Sequence, residues 1–166
     1  AGNCLLNVST TVGSLTLLDP GTPPALTVSG AITLAVSGAT NAASGTTIAA
    51  ASGATINLNG GGASTGQFSS GASSVIAFNG GYTANSGTTF TGSGEFRITN
   101  GLFIAPATIT IPNLRLSGGS LTGAGTVTLT GAAVWSGGQM GESTQAGGTT
   151  IVDTGATLSM PGGAAT

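Results

Sequence analysis

Apolar residues recur at every second position in short bursts along the whole chain, with hydroxyl, amide or glycine residues in the places between them. Such pairs fall at Leu15/Leu17, Leu26/Val28, Ile32/Leu34, Ile56/Leu58, Ile76/Phe78, Phe96/Ile98, Leu102/Ile104, Ile109/Ile111, Leu114/Leu116, Val127/Leu129 and Leu158/Met160, most of them set apart by Gly, Pro, Asn or Ser. A period of two marks strands that bury one face. No window keeps apolar residues at i, i+3, i+4 and i+7 for more than about one turn, and Gly, Thr and Ser are weak helix formers. The pattern therefore predicts an all-β chain of short strands with frequent corners. Ile56, Leu58, Phe96, Ile98, Val127 and Leu129 should point into a core, with Asn57, Arg97 and Thr128 facing out.

The strands belong to a repeat. "FTGSGEFRITNG" (90–101) aligns with "LTGAGTVTLTG" (121–131), glycines and apolar residues in step. The same frame recurs in "SGATINLNGG" (52–61), "SSVIAFNGG" (73–81) and "TGATLSMPGG" (154–163), with a weaker copy in "SGAITLAVSG" (29–38). The first apolar residues of the best pairs stand at 32, 56, 76, 96, 127 and 158, giving steps of 24, 20, 20, 31 and 31. An antiparallel sandwich has no reason to repeat its sequence, whereas a parallel β-solenoid does. With about 20 to 25 residues per coil and about 4.8 Å per stacked strand, the chain should form a rod about 35 Å long. Adjacent coils should pair in parallel.

Composition narrows what such a rod can do. Only 4% of the 166 residues are charged, mean hydropathy is +0.41, glycine numbers 31 and the net charge is -2. With two basic residues and no lysine, nucleic-acid binding is not expected. Glycines and hydroxyls interrupt every apolar run well short of the roughly 18 to 20 residues that cross a bilayer as a helix. The chain opens without Met or a basic n-region, which suits a fragment or a secreted chain after signal removal.

Candidate chemistry is sparse. There is no His, which removes Ser-His-Asp and Cys-His pairs and His-ligated metals. Asp19, Glu95, Glu142 and Asp153 lie in separate segments, whereas acid–base hydrolysis needs paired carboxylates. Glu95 and Arg97, two apart, would share a strand face as a surface ion pair. The recurring Asp of calcium-binding nonapeptides is missing. No enzyme activity, cofactor or metal is expected. Asn7-Val8-Ser9 is a glycosylation sequon, so Asn7 is a candidate acceptor. O-linked sugar on the hydroxyl-rich faces would keep so uncharged a surface dispersed. Trp135 could stack on a sugar or fill a corner of the core. Cys4, the single cysteine, reads as a small apolar residue, a free thiol or half of an intermolecular bridge.

"GAGTVTLTGAAVWSGG" followed by "GGTTIVDTGATLSM" resembles the passenger-associated repeat of bacterial autotransporters, over about residues 117–163 with echoes from residue 45 onward. The resemblance implies a right-handed β-helix and an extracellular or cell-surface address, and names no activity. This chain carries no translocator barrel of that family.

Three segments follow: an apolar N-terminal strand or arm (1–18), a break at Pro20, Pro23 and Pro24 (19–25), and a solenoid body (26–166). Neither end offers charge or an amphipathic helix to cap a solenoid, so the ends are expected to stack on other copies or to be cut from a longer rod. The arm, with Cys4, Leu5, Leu6 and Val8, could pair with a neighbour or form the first coil of its own chain. The expected function is that of an extracellular structural protein, the head-to-tail subunit of a filament, sheath or surface fibre. An adhesin passenger segment holding glycan or another surface is the alternative. Ice binding would need one outward column of threonines, and the residues between the pairs run Thr33, Asn57, Ala77, Arg97, Thr128 and Ser159.

Overall fold

The computed structural model describes residues 2–19, 21–141 and 148–161. Every regular element among them is a strand, and the strands wind into a parallel β-solenoid of about seven coils. Each coil visits three faces. The first face stacks Asn3–Leu6, Ala25–Val28, Thr47–Ala50, Gln67–Ser70 and Thr89–Thr91 in that spatial order. Beyond it on the same side lie Ile109–Ile111, Thr126–Leu129 and Thr149–Val152, a separate short sheet against Thr89–Thr91. The second face runs from Thr10–Val12 through Thr33–Val36, Thr55–Leu58, Val75–Phe78 and Glu95–Ile98. The third runs through Leu15–Leu17, Thr40–Ala42, Gly62–Ser64, Tyr82–Ala84 and Leu102–Ile104. Two long strands, Leu114–Thr122 and Ala132–Met140, bend across both of these faces with bulges between. Every strand pairing among the described residues is parallel, as the repeat predicted.

In-register parallel pairing turns the two-residue alternation into columns of side chains. Cys4, Leu26, Ile48, Phe68 and Phe90 form one inward column, and Val12, Val36, Leu58, Phe78, Ile98, Leu116 and Trp135 another. Ile56, Leu58, Phe96, Ile98, Val127 and Leu129 are all buried, and Asn57, Arg97 and Thr128 sit on the outer side. All five phenylalanines and the single tyrosine gather in one stretch of this core. Phe68 stacks on Phe90 with centroids 5.6 Å apart and meets Phe78 edge-on at 5.4 Å, geometries that aromatic quadrupoles favour.

The coil length differs in part from the sequence expectation. Leu34, Ile56, Ile76, Phe96 and Leu114 occupy one column, with steps of 22, 20, 20 and 18 residues. Ile32 lies ahead of its strand, half-buried, and Val127 belongs to the short sheet on another side. The steps of 31 therefore compared strands from different faces. At 102–104 the alternation is inverted, because Phe103 takes the interior and Leu102 and Ile104 face outward, half-covered. Met160 is exposed although Leu158 packs on the core. Residues 3–17 form the first coil of their own chain, paired strand by strand with the second.

Glycine is required where the second face turns into the third. There Gly61, Gly81, Gly101, Gly119 and Gly138 follow one another in successive coils, and a Cβ on Gly61, Gly101, Gly119 or Gly138 would come within 3.0 Å of a neighbouring glycine's backbone. A Cβ on Gly101 would lie 2.8 Å from the backbone nitrogen of Gly81, and its φ of +72° already disfavours an L-residue. Beside this corner runs a polar ladder. Asn79 Nδ2 donates to Asn59 Oδ1 at 2.8 Å, and the Thr99 hydroxyl donates to Asn79 Oδ1. At other corners buried hydroxyls satisfy carbonyls: Ser74 Oγ donates to Gly71 O at 2.7 Å, and Thr88 Oγ1 to Ser64 O at 2.6 Å.

The Gly101→Ala variant should lose at least about 1–2 kcal/mol, from left-handed strain plus the backbone clash. Gly13→Ala, where an added Cβ meets nothing within 4 Å, should stay within about 0.5 kcal/mol of wild type. Urea midpoints of the two variants check the contrast.

Candidate functional surfaces

The chemistry-bearing residues lie on faces and ends. Asp19 and Asp153 are exposed and far apart in the stack, and Glu142 lies outside the described residues. Among the described residues no three His, Cys, Asp or Glu side chains approach closely enough to hold a metal. Asp19 Oδ1 accepts from the Gly21 backbone N–H at 2.8 Å and Asp153 Oδ1 from Thr154 N–H at 2.8 Å, so both acids shape turns.

Glu95 and Arg97 do share an outward face and form an ion pair through Oε1 and Nε, with side chains 28% and 42% exposed. Arg115, which the sequence alone did not single out, stands directly opposite Arg97 in the next coil. The signal was present in the 18-residue step from Phe96 to Leu114, which carries "FRI" onto "LRL".

Trp135 packs against the core at the end of an inward column, and its indole N–H donates to Gly138 O at 3.2 Å, which fits the corner-filling reading. Asn7 is exposed, while Ser9 Oγ of the same sequon accepts from the Thr33 backbone N–H at 3.0 Å and so helps hold the first coil to the second. Cys4 points along an inward column yet is exposed, since it occupies the first described coil and no strand covers it on the other side.

The outward column needed for ice binding is also redrawn. Thr33 pairs with Thr55, and Thr128 lies on a different side with Thr110. The true column holds Thr11, Ala35, Asn57, Ala77, Arg97, Arg115, Val134 and Ser159, which is no threonine ladder. On the first face the outward columns read Asn3, Ala25, Thr47, Gln67, Thr89 and Leu5, Thr27, Ala49, Ser69, Thr91. No two threonines are neighbours in either column.

The two ends differ from the body. The exposed large hydrophobics are Leu5, Val8 and Leu18 around the first coil, and Ile151, Val152 and Met160 around the last. A cleft of about 210 Å³, lined in part by Leu121, Thr122, Met140 and Thr150, also opens at the C-terminal end. No family model, curated protein or solved structure matches the chain.

One interior group carries a pH signature. Tyr82 is 1% exposed, and its hydroxyl has no hydrogen-bond partner of normal geometry. Burial pushes the phenol well above its ordinary pKa, partly offset by the Ser64 side chain. Gly62, one rung below Tyr82 in the same column, packs on the coil beyond it, where an added Cβ would lie 2.0 Å from the Thr40 carbonyl oxygen. A raised pKa means the folded state holds the neutral phenol. Its contribution to stability is therefore intact below the unfolded value of about 10 and falls as pH rises above it. As Tyr82 is the only tyrosine, the near-ultraviolet phenolate band should stay absent from the folded protein at pH values just above 10 and appear on unfolding in urea. Tyr82→Phe should remove that alkaline loss of stability.

Proposed function

We propose that this chain is an extracellular structural protein, a rod that lengthens by stacking end to end with other copies of itself. The observation that carries the reading is the confinement of every exposed large hydrophobic to the first and last described coils. Among the described residues, the strands Asn3–Leu6, Thr10–Val12 and Leu15–Leu17 at one end each have a neighbour on one side only, and at the other Thr149–Val152 and Thr157–Ser159 do likewise. Unpaired parallel edges over apolar core are templates for strand addition, and a contact between the top of one rod and the bottom of the next does not close into a ring. Charge offers little opposition, with six charged residues in the chain. The role is mechanical and not catalytic. The extracellular address rests on the autotransporter-like repeat of residues 117–163 and on a hydroxyl-rich, nearly uncharged surface.

A second reading, a surface-adhesin segment that holds glycan, is favoured by one feature, the stacked Arg97 and Arg115.

Sedimentation at tens of micromolar should reveal fibres that persist in high salt, since even a Debye length of about 3 Å near 1 M leaves apolar and backbone contacts intact. Deleting residues 1–18 should shorten or abolish them and leave the β-rich circular dichroism of the body. Cys4 should react with a thiol reagent in dispersed rods and be protected in fibres. Monomers of both chains at that concentration would contradict end-to-end stacking and leave the adhesin reading.

A further inference from the structure

The chain contains two basic side chains, Arg97 and Arg115, and the fold sets them directly opposite each other on adjacent rungs of the second face. Their backbones are therefore about 4.8 Å apart. Like charges directly across a sheet destabilise it, and an ordinary structural solution would place an acid opposite each base. Here the acid sits on the same strand as one of them. Glu95 engages Arg97 through Nε, which leaves the outer donors of that guanidinium free, and Arg115 has no ion-pair partner among the described residues. The result is a local positive site on a chain of net charge -2.

We propose that this pair is the anion-recognition point of a docking strip for a carboxylate-bearing polysaccharide, a polyuronate. The proposal rests on the glycan-holding reading and is independent of end-to-end stacking. Guanidinium forks match carboxylates with two parallel N–H···O bonds, and a carboxylate between two stacked forks relieves the repulsion between them. Other outward positions of the same face, Thr55, Asn57 and Ser159, are neutral hydrogen-bonding side chains suited to sugar hydroxyls.

Other polyanions fit less well. A nucleic acid would need more cations and exposed aromatic rings for its bases, and the only aromatic outside the interior cluster, Trp135, packs on the core. A protein partner would need apolar anchors, and the exposed large hydrophobics lie at the ends of the rod. One half-exposed site is weak alone, so retention of a single rod relies on the high local density of carboxylates along the polymer, each able to rebind it.

Affinity electrophoresis of the full chain through gels containing polygalacturonate tests this, with neutral dextran as control. Wild type should be retarded by the polyuronate and not by dextran, and retardation should fade with added salt. Arg115→Gln should weaken apparent affinity about two- to fivefold, the range of one exposed charged contact. Glu95→Gln, by freeing Arg97, should strengthen it by a similar factor. A merely structural ion pair would not give that gain. Unchanged migration of Arg115→Gln, weaker binding by a folded Glu95→Gln, or equal retardation in dextran would overturn the proposal. So would loss of self-association in Arg115→Gln with no change in polyuronate binding, which would make the partner a second copy. Circular dichroism confirms that each variant folds, and sedimentation reports separately on stacking.

Discussion

Parallel hydrogen bonding between successive coils is the constraint from which the rest of this structure follows. Each strand borrows its partners from the coil before and the coil after, so the register of one coil dictates that of the next. Side chains at equivalent positions then stack in columns, and a column tolerates only what its neighbours leave room for. Large apolar residues fill the interior columns from Leu26 to Phe90, and the aromatic cluster forms where several such columns widen together. The same close stacking explains the glycine corner, because a Cβ on Gly101 or Gly119 would run into the backbone of the glycine in the coil before.

Much of this was legible in the chain. Alternation at Ile56/Leu58, Ile76/Phe78 and Phe96/Ile98 gave strand, buried face and a coil length of 20 together, because those three coils have identical corners and the step equals the coil. Legibility failed where corner lengths change. Val127 and Phe96 share a sequence motif but not a face, since any apolar–polar–apolar triplet serves equally well on each of the three sides. Leu102-Phe103-Ile104 misled for a related reason: three apolar residues in a row do not declare which parity is buried, and the column occupied by Tyr82 and Leu121 decides it.

The candidate surfaces were less visible than the fold. Glu95 and Arg97 are two residues apart and could be paired on sequence alone, whereas Arg115 joins them only through an irregular step of 18 that no uniform repeat predicts. Uncapped ends were an expectation from missing charge; among the described residues the exposed large hydrophobics are Leu5, Val8 and Leu18 around the first coil and Ile151, Val152 and Met160 around the last. Besides these end residues, the feature of the described surface that the core does not account for is the basic pair on the second face.

The central claim is the parallel register, and nuclear Overhauser contacts between backbone protons of adjacent coils measure it directly. The account predicts contacts that link Asn57 to Ala77 and Ala77 to Arg97, with the same offset of 20 at each neighbouring position along these strands. Contacts in which one residue number rises as its partner's falls would mean antiparallel hairpins and would contradict the solenoid.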